Sequence, residues 1–300
     1  MPVADANGVE LYYETYGQDT DPPMLLVCGL GMQLVVWDEA WFEALVRRGY
    51  YVVAFDNRDA GLSTHLVEAG IPDLMALLEG GDPNVTYLLS DMADDAAAVL
   101  DATGVESAHI LGISMGGMIA QALAISYPGR VRSICSIMST TGDPNVGQAD
   151  QAAAEALLAV SGTTREDAME GALKAFGIIG SPGFPADEDR VRRLAGLSYD
   201  RDREPTGIAR QLGAILASAD RTEALGHLTM PALVIHGTSD PLVNPSGGRA
   251  TAAAIPGAKL VMVEGMGHDL PTQIWDMVLD EVCASAGRVD AGLLAPPASS

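Results

Sequence analysis

A chain of 300 residues with 48% hydrophobic content can bury a substantial core, either as one large α/β domain with an insertion or as two ordinary domains. The formal net charge of −23, from 40 acidic against 17 basic residues, argues against nucleic acid and anionic membrane as partners, since both are polyanions that such a surface repels. Cys28, Cys135 and Cys283 are too scattered for a disulfide framework or a C-x-x-C metal pair, the first ten residues lack a basic-then-apolar leader, and no apolar run reaches the roughly 18 residues of a membrane span; a reduced, cytoplasmic protein without membrane insertion is expected.

Val9 to Tyr16 alternates and is rich in aromatics, which predicts a strand, and a Gly/Asp/Pro turn leads to an apolar strand over Met24 to Cys28. Gly29-Leu30-Gly31 follows, with Asp56 at the end of the next strand where a ribose-binding acid would sit. Leu34 occupies the place of the third glycine of a dinucleotide fingerprint, so that reading is set aside. Trp37 to Arg48 reads as a helix, Tyr50 to Phe55 as a buried strand and Asp56 to Ser63 as a polar loop that Arg58 and Asp59 brace by internal pairing, contact with substrate being the alternative. Leu89 to Thr103 interleaves aliphatic residues with Asp91, Asp94, Asp95 and Asp101, the pattern of a helix with a solvated acidic face. Ala108 to Ile113 is a buried strand, Met118 to Tyr127 a helix and Val131 to Met138 a further strand.

This alternation implies βαβ units and a mostly parallel sheet flanked by helices. At Ser139 the rhythm breaks. Residues 140–228 offer helical stretches near Gln151 to Ser161, Arg165 to Phe176, Glu188 to Leu197 and Ile208 to Ala219, with an irregular crossing at Pro182, Phe184 and Pro185. This segment is read as a helical cap inserted into a core made of residues 1–139 and 229–286. Alternation resumes with strands Ala232 to His236 and Lys259 to Val263 and helices Ser246 to Ala254 and Gln273 to Ala286, and residues 287–300 read as a mobile tail.

The chemistry centres on Gly112-Ile113-Ser114-Met115-Gly116, a G-x-S-x-G elbow placed between a strand and a helix. A serine on that turn is lifted clear of its neighbours but is a weak nucleophile, so it needs a base and a group to orient the base. Ligands of an open α/β sheet bind beyond the carboxyl ends of its strands. Asp240 and His268 each follow a strand by a few residues, and the order Ser114, Asp240, His268 makes them the candidate orienting acid and general base. Asp143, just past Val131 to Met138, is the competing acid. The oxyanion donors are expected to be the N–H of Met115, at a helix start, and that of Leu30, with Gly31 also open. Cys28 reads as a buried apolar residue, His65 and His227 as solvated, His109 as the opening of the elbow strand and His236 as packing. No H-E-x-x-H or carboxylate–histidine cluster suggests a metal.

Together with His236-Gly237-Thr238-Ser239-Asp240-Pro241 and Gly265-Met266-Gly267-His268, these motifs resemble the α/β-hydrolase superfamily from about Val9 to Ala286. Within it, Asp-x-Arg-Asp-x-Gly-x-Ser at 56–63 and the Ser-Met-Gly elbow are most similar to the actinobacterial esterases that include aclacinomycin methylesterase and mycobacterial lipase/esterase relatives. Many of those have histidine where this chain has Cys28, a difference that a backbone donor tolerates. The resemblance implies a cofactor-independent serine hydrolase of small-molecule carboxylic esters. A perhydrolase or C–C bond hydrolase using the same triad, and a non-catalytic small-molecule receptor on this fold, remain as alternatives; the sequence is silent on oligomeric state.

Overall fold

The computed structural model describes residues 1–74, 76, 84–159 and 162–290. Eight strands form one sheet: β1 (Val3–Ala6), β2 (Val9–Tyr16), β3 (Pro23–Val27), β4 (Tyr51–Phe55), β5 (Ala108–Ile113), β6 (Val131–Ile137), β7 (Ala232–Gly237) and β8 (Lys259–Val263). Their spatial order is β1-β2-β4-β3-β5-β6-β7-β8. The pairs β1·β2 and β2·β4 are antiparallel and all others parallel. Strand β1 escaped the sequence reading although Asn7-Gly8 is a hairpin signal. Both residues take positive φ (51° and 91°), as a two-residue primed turn requires.

The parallel strands are buried on both faces because successive residues serve opposite cores. Leu25, Val27, Val53, Phe55 and Ile110 pack beneath α2 (Leu89–Ala102) and α3 (Met115–Ser126), while Met24, Leu26, Val52, Leu111 and Ile235 pack against α1 (Glu39–Arg47) and α10 (Trp275–Asp290). Each such aliphatic side chain contributes roughly 1.5–3 kcal/mol by leaving water. From β3 the chain moves outward to β4, then crosses back to β5. The crevice of the sheet therefore opens at the carboxyl ends of β3 and β5, where ligands bind in such folds.

Between β6 and β7 lie α4 (Gln151–Leu158), α5 (Arg165–Ile179), α6 (Glu188–Arg201), α7 (Gly207–Ala217) and the short α8 (Thr222–Leu225); α9 (Ser246–Ala254) follows β7. The stretch predicted as Gln151 to Ser161 is helical to Leu158, and residues 160 and 161 lie outside the described residues. The helix expected from Met118 begins at Met115, directly after the elbow. Two expectations are corrected. The acidic face of α2 is solvated at Asp101 and partly so at Asp91 and Asp94, which accept the Leu88 N–H and the Tyr127 hydroxyl, but Asp95 is buried beside Arg58. Nor does a tail begin at Gly287, because α10 continues to Asp290, whose carboxylate pairs with Arg132 and lies 3.2 Å from His109 Nε2; residues 291–300 lie outside the described residues.

Candidate active site

Ser114 stands at the end of β5 with φ 53° and ψ −121°, a conformation that costs a non-glycine residue about 1–3 kcal/mol and needs support. Its N–H donates to the Ile137 carbonyl and its own carbonyl accepts from Gly117 N–H, both at 2.9 Å. Glycines flank it for lack of space. A Cβ on Gly112 would strike the Gly116 carbonyl, and one on Gly116 would strike that of Val27, so α3 starts tight against β5 and β3.

The structure brings the three residues singled out beyond β5, β7 and β8 together. His268 Nε2 lies 2.9 Å from Ser114 Oγ, and His268 Nδ1 lies 2.8 Å from Asp240 Oδ2. Burial pushes the Asp240 carboxyl up, but hydrogen bonds from His236 and His268 and from the Val243 N–H outweigh it and hold the group well below the usual carboxylate range. An ionised Asp240 accepts only, so the proton sits on His268 Nδ1 and the Nε2 lone pair faces the Ser114 hydroxyl. The second Asp240 oxygen accepts from Leu242 and Val243 N–H at 2.9 Å each, which locks the carboxylate in its turn. The competing acid, Asp143, is used locally, accepting from Asn145 N–H and Nδ2 at 2.8 Å.

The His268 loop is gripped from outside by the end of α5 and the segment after it. His268 N–H donates to Ile179 O (2.7 Å) and Gly183 N–H to Gly265 O (2.9 Å). Ser181 Oγ accepts from Gly267 N–H (2.8 Å) and donates to Asp269.

On the other side of Ser114, Met115 N–H is the first donor of α3 and has no partner within the helix. Leu30 N–H has no hydrogen-bond partner among the described residues, whereas Gly31 N–H donates to Gln211 Oε1 at 2.7 Å. Of the two donors left open by the sequence, Leu30 is therefore the one free to receive an oxyanion.

The loop after β4 departs from expectation. Arg58 and Asp59 do not pair with each other: Arg58 makes two 2.6 Å bonds to Asp95, while Asp59 receives Arg210 (2.7 and 3.0 Å), the Tyr87 hydroxyl (2.8 Å) and the Leu66 N–H. Asp56 is fully buried and takes Leu34 N–H, Leu62 N–H and Arg201, leaving nothing for a ribose. These buried carboxylates call for cations, and two of those come from the inserted helices, too far along the chain for any spacing to reveal. Cys28 is completely buried, and burial pushes its thiol up, as fits an apolar role. His227 is exposed as expected, while His65 is partly buried, 3.2 Å from Gly61 O and 3.4 Å from Asp202. His109 is buried and bonded to Ser133 Oγ at 2.8 Å.

Sequence reasoning missed two neighbours of the site. His236 is buried and satisfied as expected, its Nε2 2.7 Å from Val243 O, but it also lies 3.4 Å from Asp240 Oδ2, and the four-residue spacing to Asp240 was the available signal. Gln211 had no signal at all. Among the described residues no group of three or more histidine, cysteine, aspartate or glutamate side chains is placed to hold a metal ion, and no helix is long and apolar enough to cross a membrane.

Comparison with known proteins agrees with this architecture. The chain is 29% identical over 298 residues to rhodomycin D methylesterase DnrP of Streptomyces peucetius, covering 92% of this chain and 94% of the relative. It is 28% identical over 261 residues to 3-oxoadipate enol-lactonase 2 of Acinetobacter baylyi, covering 86% of each chain. The crystal structure of the enol-lactonase from Burkholderia xenovorans LB400 superposes with a TM-score of 0.73 over 95% of this chain and 100% of that one, at 23% identity, a likeness of fold. A model of the alpha/beta hydrolase fold matches residues 22–271, most of the sheet and the whole crevice, and the chain belongs to that family.

Proposed function

We propose that the protein is a serine hydrolase of carboxylic esters that works through an acyl-enzyme on Ser114. The observation that carries this reading is the continuous relay from Asp240 through His268 to Ser114 Oγ, with links of 2.8 and 2.9 Å. As Ser114 Oγ attacks the ester carbonyl, its proton passes to His268 Nε2, and Asp240 stabilises the imidazolium while holding its orientation. Leu30 and Met115 N–H receive the developing oxyanion, each such donor being worth about 10²–10³ in rate. Collapse of the tetrahedral adduct breaks the ester C–O bond, and the leaving alkoxide takes the proton from His268. Water then attacks the acyl carbonyl as His268 Nε2 takes its proton, and collapse of the second adduct breaks the bond to Ser114 Oγ, which recovers the proton from His268 as the acid leaves. No step calls for a cofactor.

Residues 140–228 serve as the cap over a core of 1–139 and 229–286, and their packing over Ser114 would set the acyl groups that fit. Relatives named methylesterase and enol-lactonase support ester chemistry, since a lactone is a cyclic ester. Turnover of p-nitrophenyl esters from acetate to palmitate, wild type beside Ser114→Ala, tests the proposal. Short-chain turnover is expected to fall by several orders of magnitude in a folded variant. Retained turnover sinks the assignment. Peroxide-dependent halogenation or cleavage of a β-diketone without ester turnover moves the triad to perhydrolase or C–C hydrolase chemistry, and saturable binding without turnover makes the protein a receptor.

A further inference from the structure

We propose that Gln211 is a positioning residue for the oxyanion hole, aiming the Leu30 N–H through the Gly31 amide it holds. The inference rests on the reading of Leu30 as an oxyanion donor. Gln211 is completely buried on α7 of the inserted helices, and both ends of its amide are used. Its oxygen accepts the Gly31 N–H at 2.7 Å, and its nitrogen donates to the Arg58 carbonyl at 2.8 Å. Flipping the amide would set N–H against N–H and oxygen against oxygen, so the two backbone partners dictate one orientation.

The Gly31 amide is the peptide immediately after Leu30. Once it is fixed, only φ and ψ of Leu30 separate it from the Leu30 N–H. The rest of the loop is already restrained: Asn57 Nδ2 donates to Cys28 O (3.1 Å), Met32 N–H to Gly29 O (3.2 Å) and Leu34 N–H to Asp56 Oδ1 (2.7 Å). Gly31, at φ 65°, is the remaining joint, and α7 rests directly on it, since a Cβ there would lie 2.8 Å from Ile208 Cγ1. Without Gln211 the Gly31 N–H loses its acceptor and is free to turn toward the crevice, carrying the Leu30 peptide with it. The oxyanion hole is thus built half by the core and half by the insertion, and it is complete only while α7 is seated.

Gln211→Met keeps the length of the side chain and removes both hydrogen bonds; Gln211→Asn keeps the amide but shortens its reach. Each is compared with wild type for kcat and KM on a short-chain p-nitrophenyl ester and for inhibition by an alkylboronic acid, whose tetrahedral adduct on Ser114 mimics the oxyanion. Gln211→Met is expected to lower kcat about 10–100-fold, somewhat less than outright loss of a donor. KM should stay within about threefold and boronate affinity should fall in step with kcat, because only transition-state stabilisation is lost. Unchanged kcat, or a rise in KM alone, overturns the proposal and makes Gln211 a wall of the pocket. A fall in kcat with boronate affinity intact overturns it as well. If Gln211→Met fails to fold, Gln211→Asn is judged by the same readings. Turnover surviving Ser114→Ala defeats the ester-hydrolase reading itself, whereas full-speed Gln211→Met beside an inactive Ser114→Ala defeats only the role of Gln211.

Discussion

On the histidine side of Ser114, the end of α5 and the segment after it hold their loop mainly through the main chain, with His268 N–H on Ile179 O and Gly183 N–H on Gly265 O. On the oxyanion side, α6 and α7 hold theirs through side chains, with Arg201 on Asp56, Arg210 on Asp59 and Gln211 on Gly31. Main-chain grips tolerate many sequences and lose little when one side chain is cut back. Side-chain grips are specific and brittle, because removing one partner of a buried charge pair leaves the other uncompensated. Ser114 and Asp240 depend on neither, since they follow the ends of β5 and β7 directly, whereas the His268 N–H is itself part of the first grip and the Leu30 peptide adjoins the second.

The largest expected effect therefore lies in the core. Asp240→Asn can keep the bonds from Leu242 and Val243, but it sets an NH₂ against His268 Nδ1 and forces the proton onto Nε2, where it blocks acceptance from Ser114. We expect kcat to fall about 10⁴-fold with a near-native melting curve. Next comes the side-chain grip. Arg210 and Asp59 are both buried, so Arg210→Met should cost about 3–5 kcal/mol in urea unfolding, and adding Asp59→Asn should recover part of it by removing the stranded charge. The smallest effect belongs to the histidine side, where a side chain only supplements the main-chain bonds: Ser181→Ala removes the acceptor of Gly267 N–H and a donor to Asp269, and should cost about 1–2 kcal/mol with less than a tenfold change in kcat. If unfolding shows Ser181→Ala to be as damaging as Arg210→Met, the contrast between the two grips fails.

The same contrast explains what the sequence disclosed. Ser114, Asp240 and His268 were legible because each follows an apolar strand within a few residues, and the fold dictates where such positions meet. The parallel strands and most helices were legible from periodicity alone. Arg58 with Asp95, Asp59 with Arg210, and Gln211 with Gly31 were not, because burial and long-range approach decide them and neither leaves a local pattern. The end of α10 was misjudged for the same reason, since Asp290 is anchored by Arg132 from a distant strand. Strand β1 was a different failure: Asn7-Gly8 announced the turn, and only the brevity of Val3–Ala6 hid it.

The chain leaves the sheet at Ile137 and rejoins it at Ala232, yet β6 and β7 are immediate neighbours, with Ile137 paired to Ile235. The insertion closes on itself, because Arg221 N–H donates to Thr141 O at 3.0 Å before α8 leads back to the start of β7. Lengthening such an excursion adds little closure entropy, each doubling costing about 0.6 kcal/mol. By that measure a longer or shorter excursion at the outer helices would cost the sheet little. What it cannot discard are the few residues that reach back to the crevice. Substitutions at the rim are therefore expected to act independently, while those at the positions that touch Gly31, Asp59 and the His268 loop are expected to be coupled.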